Sequence, residues 1–116
     1  MQFSIPCDPG DIVLVNFQYT DRPQVKKRPA VVLSVPQYQQ SRLDAVMVGL
    51  TTELSRNYFG DCPIREWQAA GLPRASVAKG VIQTISQNTV DRRLGTLTSD
   101  DFSRVQGSVK EILGLD

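Results

Sequence analysis

Apolar residues in the first three quarters of the chain occur in short runs that proline, glycine or charged residues soon interrupt. The run PGDIVLVNF places a turn before a segment that is apolar on nearly both faces, which predicts a buried strand. Three further runs, RPAVVLSV, LDAVMVGLTT and ASVAKGVIQTIS, are also predicted to be strands. Because no long helical segments alternate with these strands, the pattern argues against a parallel βαβ architecture. It favours a small, strongly curved β-barrel or half-barrel.

The last segment, LTSDDFSRVQGSVKEILGLD, differs from the rest because its apolar residues have a helical period. They form one stripe at three- and four-residue spacing, made of Phe102, Val105, Val109, Ile112 and Leu113. Thr98 or Ser99 can cap the start, with Asp100 and Asp101 near the positive end of the helix dipole. Gly114 ends the segment. We therefore predict a mainly β chain closed by one C-terminal helix.

The segments between the predicted strands are polar and are interpreted as connections. Residues 18–27, QYTDRPQVKK, predict an exposed loop, and PQYQQSR predicts another polar connection. SRNYFGDCPI predicts a turn that leads to a short edge strand. REWQAAGLP is interpreted as about one helical turn, because Gly71 and Pro73 follow closely. Arg92 and Arg93, just before the final helix, are interpreted as a solvated turn.

Composition limits the chemistry available to the chain. Its 116 residues suit one domain, residues 1–116, and the formal net charge of +1 means that any nucleic-acid role must depend on a local basic patch. The chain has no histidine, which excludes Ser-His-Asp and Cys-His catalysis and histidine zinc sites. Arg, Lys, Thr, Ser, Tyr, Asp or Glu must therefore carry any catalysis.

Cysteine usage and hydropathy predict a cytoplasmic protein. Cys7 and Cys62 are too few for a disulfide framework, so we expect reduced thiols, with a bridge between the two as the alternative. The opening MQFSIPCDPGD lacks the basic start of a signal peptide. No apolar run approaches the roughly 20 residues that cross a bilayer. We expect no membrane association.

Several of these segments, taken in order, resemble the MazF/PemK toxin family. They are GDIVLVNFQYTD, the basic loop, KRPAVVLS, GLTT, DCPIREWQAAGLPRASVAK and RRLGTLTSDDFSRVQGSVKEILGL. The resemblance runs from about Gly10 to Leu115. It implies a compact SH3-like barrel with a C-terminal helix, assembled as a homodimer. It also implies a sequence-specific endoribonuclease that cleaves single-stranded RNA without a metal or other cofactor, inhibits translation and growth, and is neutralised by a cognate antitoxin protein.

The same resemblance implies site residues. Arg28 matches the family's arginine directly before the proline that starts the second strand, and Thr51 matches its threonine at the end of the third. These two correspond to the catalytic pair. Thr52 stands where serine or threonine is frequent, and Lys79 matches a basic residue that follows SVV in many members. Gln18 stands where some members carry histidine, so a general-base role at that position is in doubt.

The remaining predicted RNA-binding residues come from the basic loop. Lys26 and Lys27 either contact phosphates or keep the loop soluble, and Tyr19 is the candidate for stacking on a base. Lys79 has the alternative of an ordinary solvated lysine. Trp67, in the apolar setting IREWQAAGL, is interpreted as a packing residue. The arginines before the final helix have the alternatives of an RNA track or a contact with antitoxin carboxylates.

The chemistry implied is attack by the substrate's own 2′-OH on the adjacent phosphorus, which leaves a 2′,3′-cyclic phosphate and a free 5′-OH. The guanidinium of Arg28 is suited to the charge that develops on the phosphate oxygens, and Thr51 supplies a neutral hydroxyl. The residues leave the proton donor and acceptor open among Lys79, Tyr19, Asp21 and Glu53.

Two other functions fit the same architecture. One is a non-catalytic toxin of the CcdB type, which shares the barrel and binds DNA gyrase. The other is a catalytically silent barrel that binds RNA or protein. Retention of Arg28 and Thr51 at the ends of adjacent predicted strands favours the nuclease, because a gyrase-binding toxin has no need for that pair.

Overall fold

The structure is a computed structural model that describes residues 7–19 and 23–115. Within these ranges, six strands form one antiparallel sheet: β1 (Asp11–Phe17), β2 (Lys26–Val32), β3 (Asp44–Thr51), β4 (Cys62–Pro63), β5 (Val77–Ser86) and β6 (Arg92–Thr96). Two α-helices accompany the sheet, α1 (Pro36–Arg42) and α2 (Ser99–Leu113), and a short 3-10 helix spans Gln87–Thr89. The strand order is β4-β5-β3-β2-β1-β6. The sheet curls into a half-barrel with a C-terminal helix, so the predicted fold class is confirmed.

The sheet carries an apolar cluster on each face, which explains why β1 is apolar on both sides. Val13, Val15 and Phe17 point into the first cluster, together with Met47 of β3. Ile12 points into the second, which extends to the turn after β4 and to α2. Ile12 is the residue that β1 contributes to this second cluster, because Leu14 is half-buried outside both clusters and Asn16 is exposed.

Helix α2 covers the second cluster through one face. Val105 is buried, and Phe102 and Val109 pack partly buried beside it. The Thr98 hydroxyl accepts a hydrogen bond from the Asp101 amide at 3.3 Å, and Gly114 ends the helix in the left-handed conformation at φ 68°. The predicted C-terminal helix and its caps are confirmed.

The buried Asp101 carboxylate fastens α2 to the turn after β4. It accepts hydrogen bonds from the amides of Arg65 at 3.1 Å and Glu66 at 2.8 Å, and from the Arg104 guanidinium at 2.9 Å. Burial raises the pKa of Asp101, but these hydrogen bonds outweigh it and lower the pKa below its ordinary value. One carboxylate therefore links α2 to the turn after β4 through two of its three hydrogen bonds.

The segment PQYQQSR is helix α1, and its prediction as a loop was wrong. Pro36 occupies the start of the helix, where a missing N–H costs nothing, and Leu43 ends it at φ 62°. The buried Gln39 side chain holds the helix on the sheet by accepting a bond from the Ser34 hydroxyl and donating to the Cys7 carbonyl. The burial of this glutamine depends on partners outside the helix, so the periodicity of the polar segment does not predict it.

Two basic segments predicted as loop or turn are strands instead. Lys26 and Lys27 pair with Phe17 and Asn16 of β1, so β2 begins two residues before Arg28. Arg92 and Arg93 lie in β6, which pairs with the opposite edge of β1. In both cases an apolar strand already in the sheet supplies the partner that a charged segment needs to become a strand.

Cys7 and Cys62 are both buried and neither is in a disulfide, so the alternative of a bridge between them is not found. Burial raises the pKa of the Cys7 thiol, and the nearby Asp11 carboxylate adds to the increase. In the described part of the chain, helices are too short or too polar to span a bilayer.

Candidate active site

Strands β2 and β3 pair at one end and separate at the other. Ala30 faces Gly49, and pairing continues inward from there to Val32 and Met47. In the other direction β2 pairs with β1, while β3 continues beside β5. Extending the register two residues past the Ala30–Gly49 pair places Arg28 opposite Thr51. The two predicted catalytic residues therefore flank the opening between the separated strands.

A small cavity of about 170 Å³ occupies this opening. The side chains that line it include Arg28, Thr51, Lys27, Thr52 and Ser76. Two of these side chains are cations, and the lining contains no carboxylate. The structure thus brings four of the predicted site residues together around a positively charged space.

Arg28 carries an unused hydrogen-bond donor. Among the described residues, its Nε is the only buried side-chain nitrogen or oxygen without a hydrogen-bond partner. A buried donor left unpaired costs about 1–3 kcal/mol, and the residue that carries it also lines the small cavity, where an anion can bind. A phosphate oxygen is such an acceptor, and it matches the guanidinium in charge.

Tyr19 supports the guanidinium from below. The Arg28 Cζ atom lies 5.0 Å from the centroid of the Tyr19 ring, within the range of a cation–π contact. The Tyr19 hydroxyl donates to the Leu50 carbonyl at 2.8 Å, which fixes the ring across β3. Only 5 % of Tyr19 is exposed, which leaves little of the ring for the stacking role predicted for it. In the structure, Tyr19 instead packs against the Arg28 guanidinium.

Gly49 provides the room that Tyr19 needs. An ideal Cβ built on Gly49 would lie 2.8 Å from Tyr19 Cζ and 2.8 Å from Phe17 Cε1. These separations are shorter than real Cβ contacts, so a larger residue would displace the ring. The glycine at this strand position is thus explained by a side chain that crosses over it.

Thr51 presents its hydroxyl at the end of β3. Its Oγ1 accepts a hydrogen bond from the Glu53 amide at 3.1 Å, which orients the side chain and leaves the O–H proton for another acceptor. Thr51 is half-buried, whereas Thr52 is exposed. The geometry suits Thr51 to donate to a ligand oxygen in the small cavity.

A larger cavity of about 370 Å³ lies on the other side of Thr51, which lines both spaces. Its aromatic lining comes from Tyr19, Tyr58 and Phe59. Its charged lining comes from two acids and two bases: Glu53, Arg56, Asp61 and Lys79. The larger cavity is therefore formally neutral, in contrast to the small one.

Asp61 and Lys79 form a buried ion pair in the wall of the larger cavity. Their side chains are 1 % and 12 % exposed. Asp61 also accepts the Tyr58 amide at 2.9 Å and the Gly80 amide at 3.1 Å. Burial raises the pKa of Asp61, but the bonds from Lys79 and the two amides outweigh it, so the pKa falls below its ordinary value. Lys79 is neither the solvated lysine nor the free cation considered from sequence.

The other predicted residues lie farther from the two cavities or have other partners. Lys26 is exposed, and Lys27 also pairs with Asp91 at 3.4 Å. Gln18 lines neither cavity, because its side chain donates to the Pro23 carbonyl at 3.3 Å and its carbonyl accepts from Gln83.

The two carboxylates considered for proton transfer, Glu53 and Asp21, differ in what the structure describes of them. Glu53 lines the larger cavity beside Thr51, and its carboxylate accepts the Ser55 amide at 3.0 Å. Asp21 lies outside the described residues.

Trp67 packs partly buried against the second apolar cluster, as its packing interpretation requires. Within the described ranges, no group of three His, Cys, Asp or Glu side chains forms a metal site.

Sequence reasoning missed Tyr58 and Asp61, which form a wall of the larger cavity. The signal was present in YFGD, where two aromatic residues precede a glycine inside a polar loop. Phe59 is 77 % exposed and Tyr58 58 % exposed, values unusual for aromatic side chains that have only a packing role. The partner of Asp61, 18 residues further along the chain, could not be read from the loop alone.

The fold matches solved structures over almost its whole length. MazF (Form-I) from Deinococcus radiodurans superposes with a TM-score of 0.76 at 20% identity, over 98% of this chain and 100% of that one. Mycobacterium tuberculosis toxin MazF-mt6 gives a TM-score of 0.73 at 20% identity, over 91% and 98%. A mycobacterial endoribonuclease in complex with its cognate antitoxin gives 0.72 at 18% identity, over 94% of each. These identities are low, so the likeness establishes the fold.

No curated protein sequence matches the chain. The family model described as PemK-like, MazF-like toxin of type II toxin–antitoxin system matches residues 8–113, which includes every described element of the fold and both cavities. The chain therefore belongs to the PemK-like, MazF-like toxin family of type II toxin–antitoxin systems.

Proposed function

We propose that this toxin is an endoribonuclease that cleaves single-stranded RNA without a metal and inhibits translation in the cytoplasm. The observation that carries the proposal is the small cavity lined by Arg28, Lys27 and Thr51, which holds two cations and no carboxylate. A phosphodiester supplies the anion that this cavity lacks. Membership of the toxin family supports the assignment, and one structural neighbour is an endoribonuclease bound to its antitoxin.

Arg28 acts on the scissile phosphate. Attack by the 2′-oxygen forms a bond to phosphorus, the bond to the 5′-oxygen breaks, and negative charge grows on the non-bridging oxygens. The guanidinium donates to those oxygens, and its position over Tyr19 is fixed before the substrate arrives. One preorganised donor of this kind contributes about 3–4 kcal/mol to the transition state.

Thr51 holds the phosphate in line for attack. Its hydroxyl donates to a second phosphate oxygen, on the β3 side of the opening. Because Arg28 and Thr51 belong to different strands, the phosphate is held from two sides of the opening and its rotation is restricted. Thr52 and Lys27 line the same cavity and contact the sugar–phosphate chain beside it.

Proton transfer involves groups beside this pair. The proton of the 2′-OH must be removed, and the departing 5′-oxygen must receive one. Lys79 is held by Asp61, and the Tyr19 hydroxyl donates to Leu50, so neither is free for this work. Glu53 is the exposed carboxylate beside Thr51 and is the proposed proton acceptor.

The partners of the toxin are a second copy of the chain and an antitoxin protein. MazE-MazF complexes from Deinococcus radiodurans share this fold, with a TM-score of 0.73 at 20% identity for one form. The surface of this chain carries exposed apolar side chains that an interface would cover: Val25, Leu43, Leu54, Phe59, Leu113 and Leu115. Light scattering of the purified chain is expected to give the mass of a dimer.

Cleavage in EDTA tests the nuclease assignment. Purified protein is incubated with defined single-stranded RNA, beside Arg28→Ala and the matched control Arg42→Ala, whose arginine is exposed on α1. We expect products with 2′,3′-cyclic phosphate ends from the wild type and from Arg42→Ala, and at least about 100-fold slower cleavage by Arg28→Ala. Intact RNA would refute the assignment and favour a non-catalytic toxin, whereas equal cleavage by Arg28→Ala would refute the role of Arg28.

A further inference from the structure

The wall of the larger cavity is built around one carboxylate. Asp61 accepts hydrogen bonds from the Lys79 ammonium group and from the amides of Tyr58 and Gly80. Its own amide donates to the Tyr58 carbonyl at 3.1 Å, which closes the turn between residues 58 and 61 from both ends. One side chain therefore fixes the β4 entrance, β5 and the aromatic turn relative to each other.

The turn is also supported from α2. Gly60 has φ 91°, and an ideal Cβ there would lie 2.6 Å from Ile112 Cδ1. The Ile112 side chain therefore packs directly under the turn and limits its movement. Tyr58 is 58 % exposed, and the Lys79 ammonium nitrogen lies over one face of its ring, 5.0 Å from the centroid. The ring is thus held by Lys79 on one face, while much of the residue is open to a ligand.

Charge and size distinguish the two cavities. The small one contains Lys27 and Arg28 without a carboxylate, and its 170 Å³ is below the range of about 300–1,000 Å³ typical of pockets for organic ligands. The larger one has a formal charge of zero, aromatic rings and a volume of 370 Å³, within that range. Thr51 lines both cavities, so a group bound in one cavity and a group bound in the other lie close enough to belong to the same ligand.

We propose that Asp61 makes the larger cavity a subsite for a nucleobase next to the scissile phosphate. By pairing with Lys79 it removes a free cation from the wall, so the wall does not attract a second phosphate. By fixing the turn it positions the Tyr58 ring, and the face of that ring opposite Lys79 is the one that stacks on a base. Asp61 is a positioning residue, and Tyr58 contacts the substrate. This inference depends on the proposed cleavage of RNA.

Salt dependence tests the inference, because each phosphate contact on a single strand contributes about −0.7 to the slope of log affinity against log salt. The probe is a fluorescent RNA, 2′-O-methylated at the position that the wild type cleaves. We expect the double variant Asp61→Asn/Lys79→Met, which removes both charges of the pair, to leave the slope unchanged, whereas Arg28→Met makes it about 0.7 shallower. Asp61→Asn frees the Lys79 cation, so its slope is expected to become about 0.7 steeper.

Tyr58 variants test the base contact without disturbing the buried pair. Loss of one base–aromatic stack weakens binding roughly 5- to 150-fold, so Tyr58→Leu is expected to lose affinity in that range at an unchanged slope. Tyr58→Phe keeps the ring and is expected to bind within about twofold of the wild type. Sequencing of cleavage products is expected to show a weaker preference for the adjacent base in Asp61→Asn and Tyr58→Leu.

The outcomes separate this inference from the proposed function. If the wild type does not cleave RNA, or if Arg28→Met keeps the wild-type slope, the nuclease assignment fails. If those two results hold but Asp61→Asn/Lys79→Met loses about 0.7 of the slope, Lys79 is a phosphate ligand and the base subsite is wrong. Equal binding by Tyr58→Leu and the wild type would also overturn it. Because Tyr58 is exposed, its variants remain informative even if Asp61→Asn does not fold.

Discussion

Replacement of Gly49 by alanine tests whether the support beneath Arg28 matters. Gly49 lies in β3 under the Tyr19 ring, and its backbone is not in the left-handed region that favours glycine. The added methyl group would lie 2.8 Å from both Tyr19 Cζ and Phe17 Cε1, and closer still to the Tyr19 hydroxyl oxygen. Phe17 is fully buried, so the Tyr19 ring is the group that must move.

The size of the effect follows from three contributions. Overpacking in a filled core costs about 1–3 kcal/mol. Displacement of the ring breaks the hydrogen bond from the Tyr19 hydroxyl to the Leu50 carbonyl, which contributes about 0.5–1.5 kcal/mol. Alanine recovers about 0.5–1 kcal/mol because the unfolded chain loses less freedom than with glycine. We therefore expect the free energy of unfolding to fall by about 2 kcal/mol.

Gly107 provides a matched control. It lies inside α2, and an ideal Cβ there meets nothing within 4 Å. Gly107→Ala is expected to raise the free energy of unfolding by about 0.8–1 kcal/mol, since alanine is the better helix former. Urea unfolding followed by fluorescence of Trp67, the single tryptophan, measures both variants on the same scale.

Activity at a temperature where both variants are folded completes the test. We expect Gly49→Ala to lose turnover per folded molecule because Arg28 loses the ring beneath it, whereas Gly107→Ala keeps it. The double variant Gly49→Ala/Tyr19→Leu removes the clash with the tyrosine but not the one with Phe17, so it is expected to regain part of the stability but not turnover. Wild-type stability in Gly49→Ala would refute the packing argument, and wild-type turnover would refute the support that Tyr19 gives to Arg28.

Three further predictions concern the site and its frame. Thr51→Val is expected to slow cleavage about 100-fold or more while Thr51→Ser retains most of it, because only the hydroxyl donates to phosphate; single-turnover kinetics measures both. Arg28→Lys is expected to be nearly as slow as Arg28→Ala in the same assay, since lysine has no nitrogen at the Nε position and cannot donate two parallel bonds. Because the pKa of Asp101 is lowered in the folded protein, its stabilising effect is present above its unfolded pKa of about 3.9 and is lost as pH falls below that value; urea unfolding should show a shallower acid dependence in Asp101→Asn.

The strands and the final helix could be predicted because local patterns determine them. PGDIVLVNF is apolar on both faces, and the structure places a cluster on each face of β1. The stripe and caps of α2 are likewise local. Helix α1 and strand β6 could not be predicted, because each depends on a distant partner. Gln39 is fixed by the Cys7 carbonyl, and β6 exists because β1 offers a free edge.

The same distinction applies to the candidate site. That Arg28 and Thr51 lie near each other was inferred from a family resemblance. The register of β2 and β3 gives the physical reason, because their pairing ends at Ala30 and Gly49, two residues away from Arg28 and from Thr51 respectively. The role of Tyr19 was not foreseen. A tyrosine in a basic loop is equally compatible with stacking on a base, and only the glycine opposite, 30 residues further along the chain, makes room for it to lie under Arg28.

Lys79 and Arg28 illustrate why charge along a sequence does not locate charge at a site. Each is a basic residue in a β-rich segment, and the net charge of +1 gives no reason to prefer either. In the fold, Asp61 forms an ion pair with Lys79, and the two opposite charges cancel. No carboxylate lines the cavity of Arg28, so its charge remains available. The difference depends on which cation the 58–61 turn faces, and α2 sets that through Ile112 beneath Gly60. The C-terminal helix therefore influences the electrostatics of the site without contributing a side chain to either cavity.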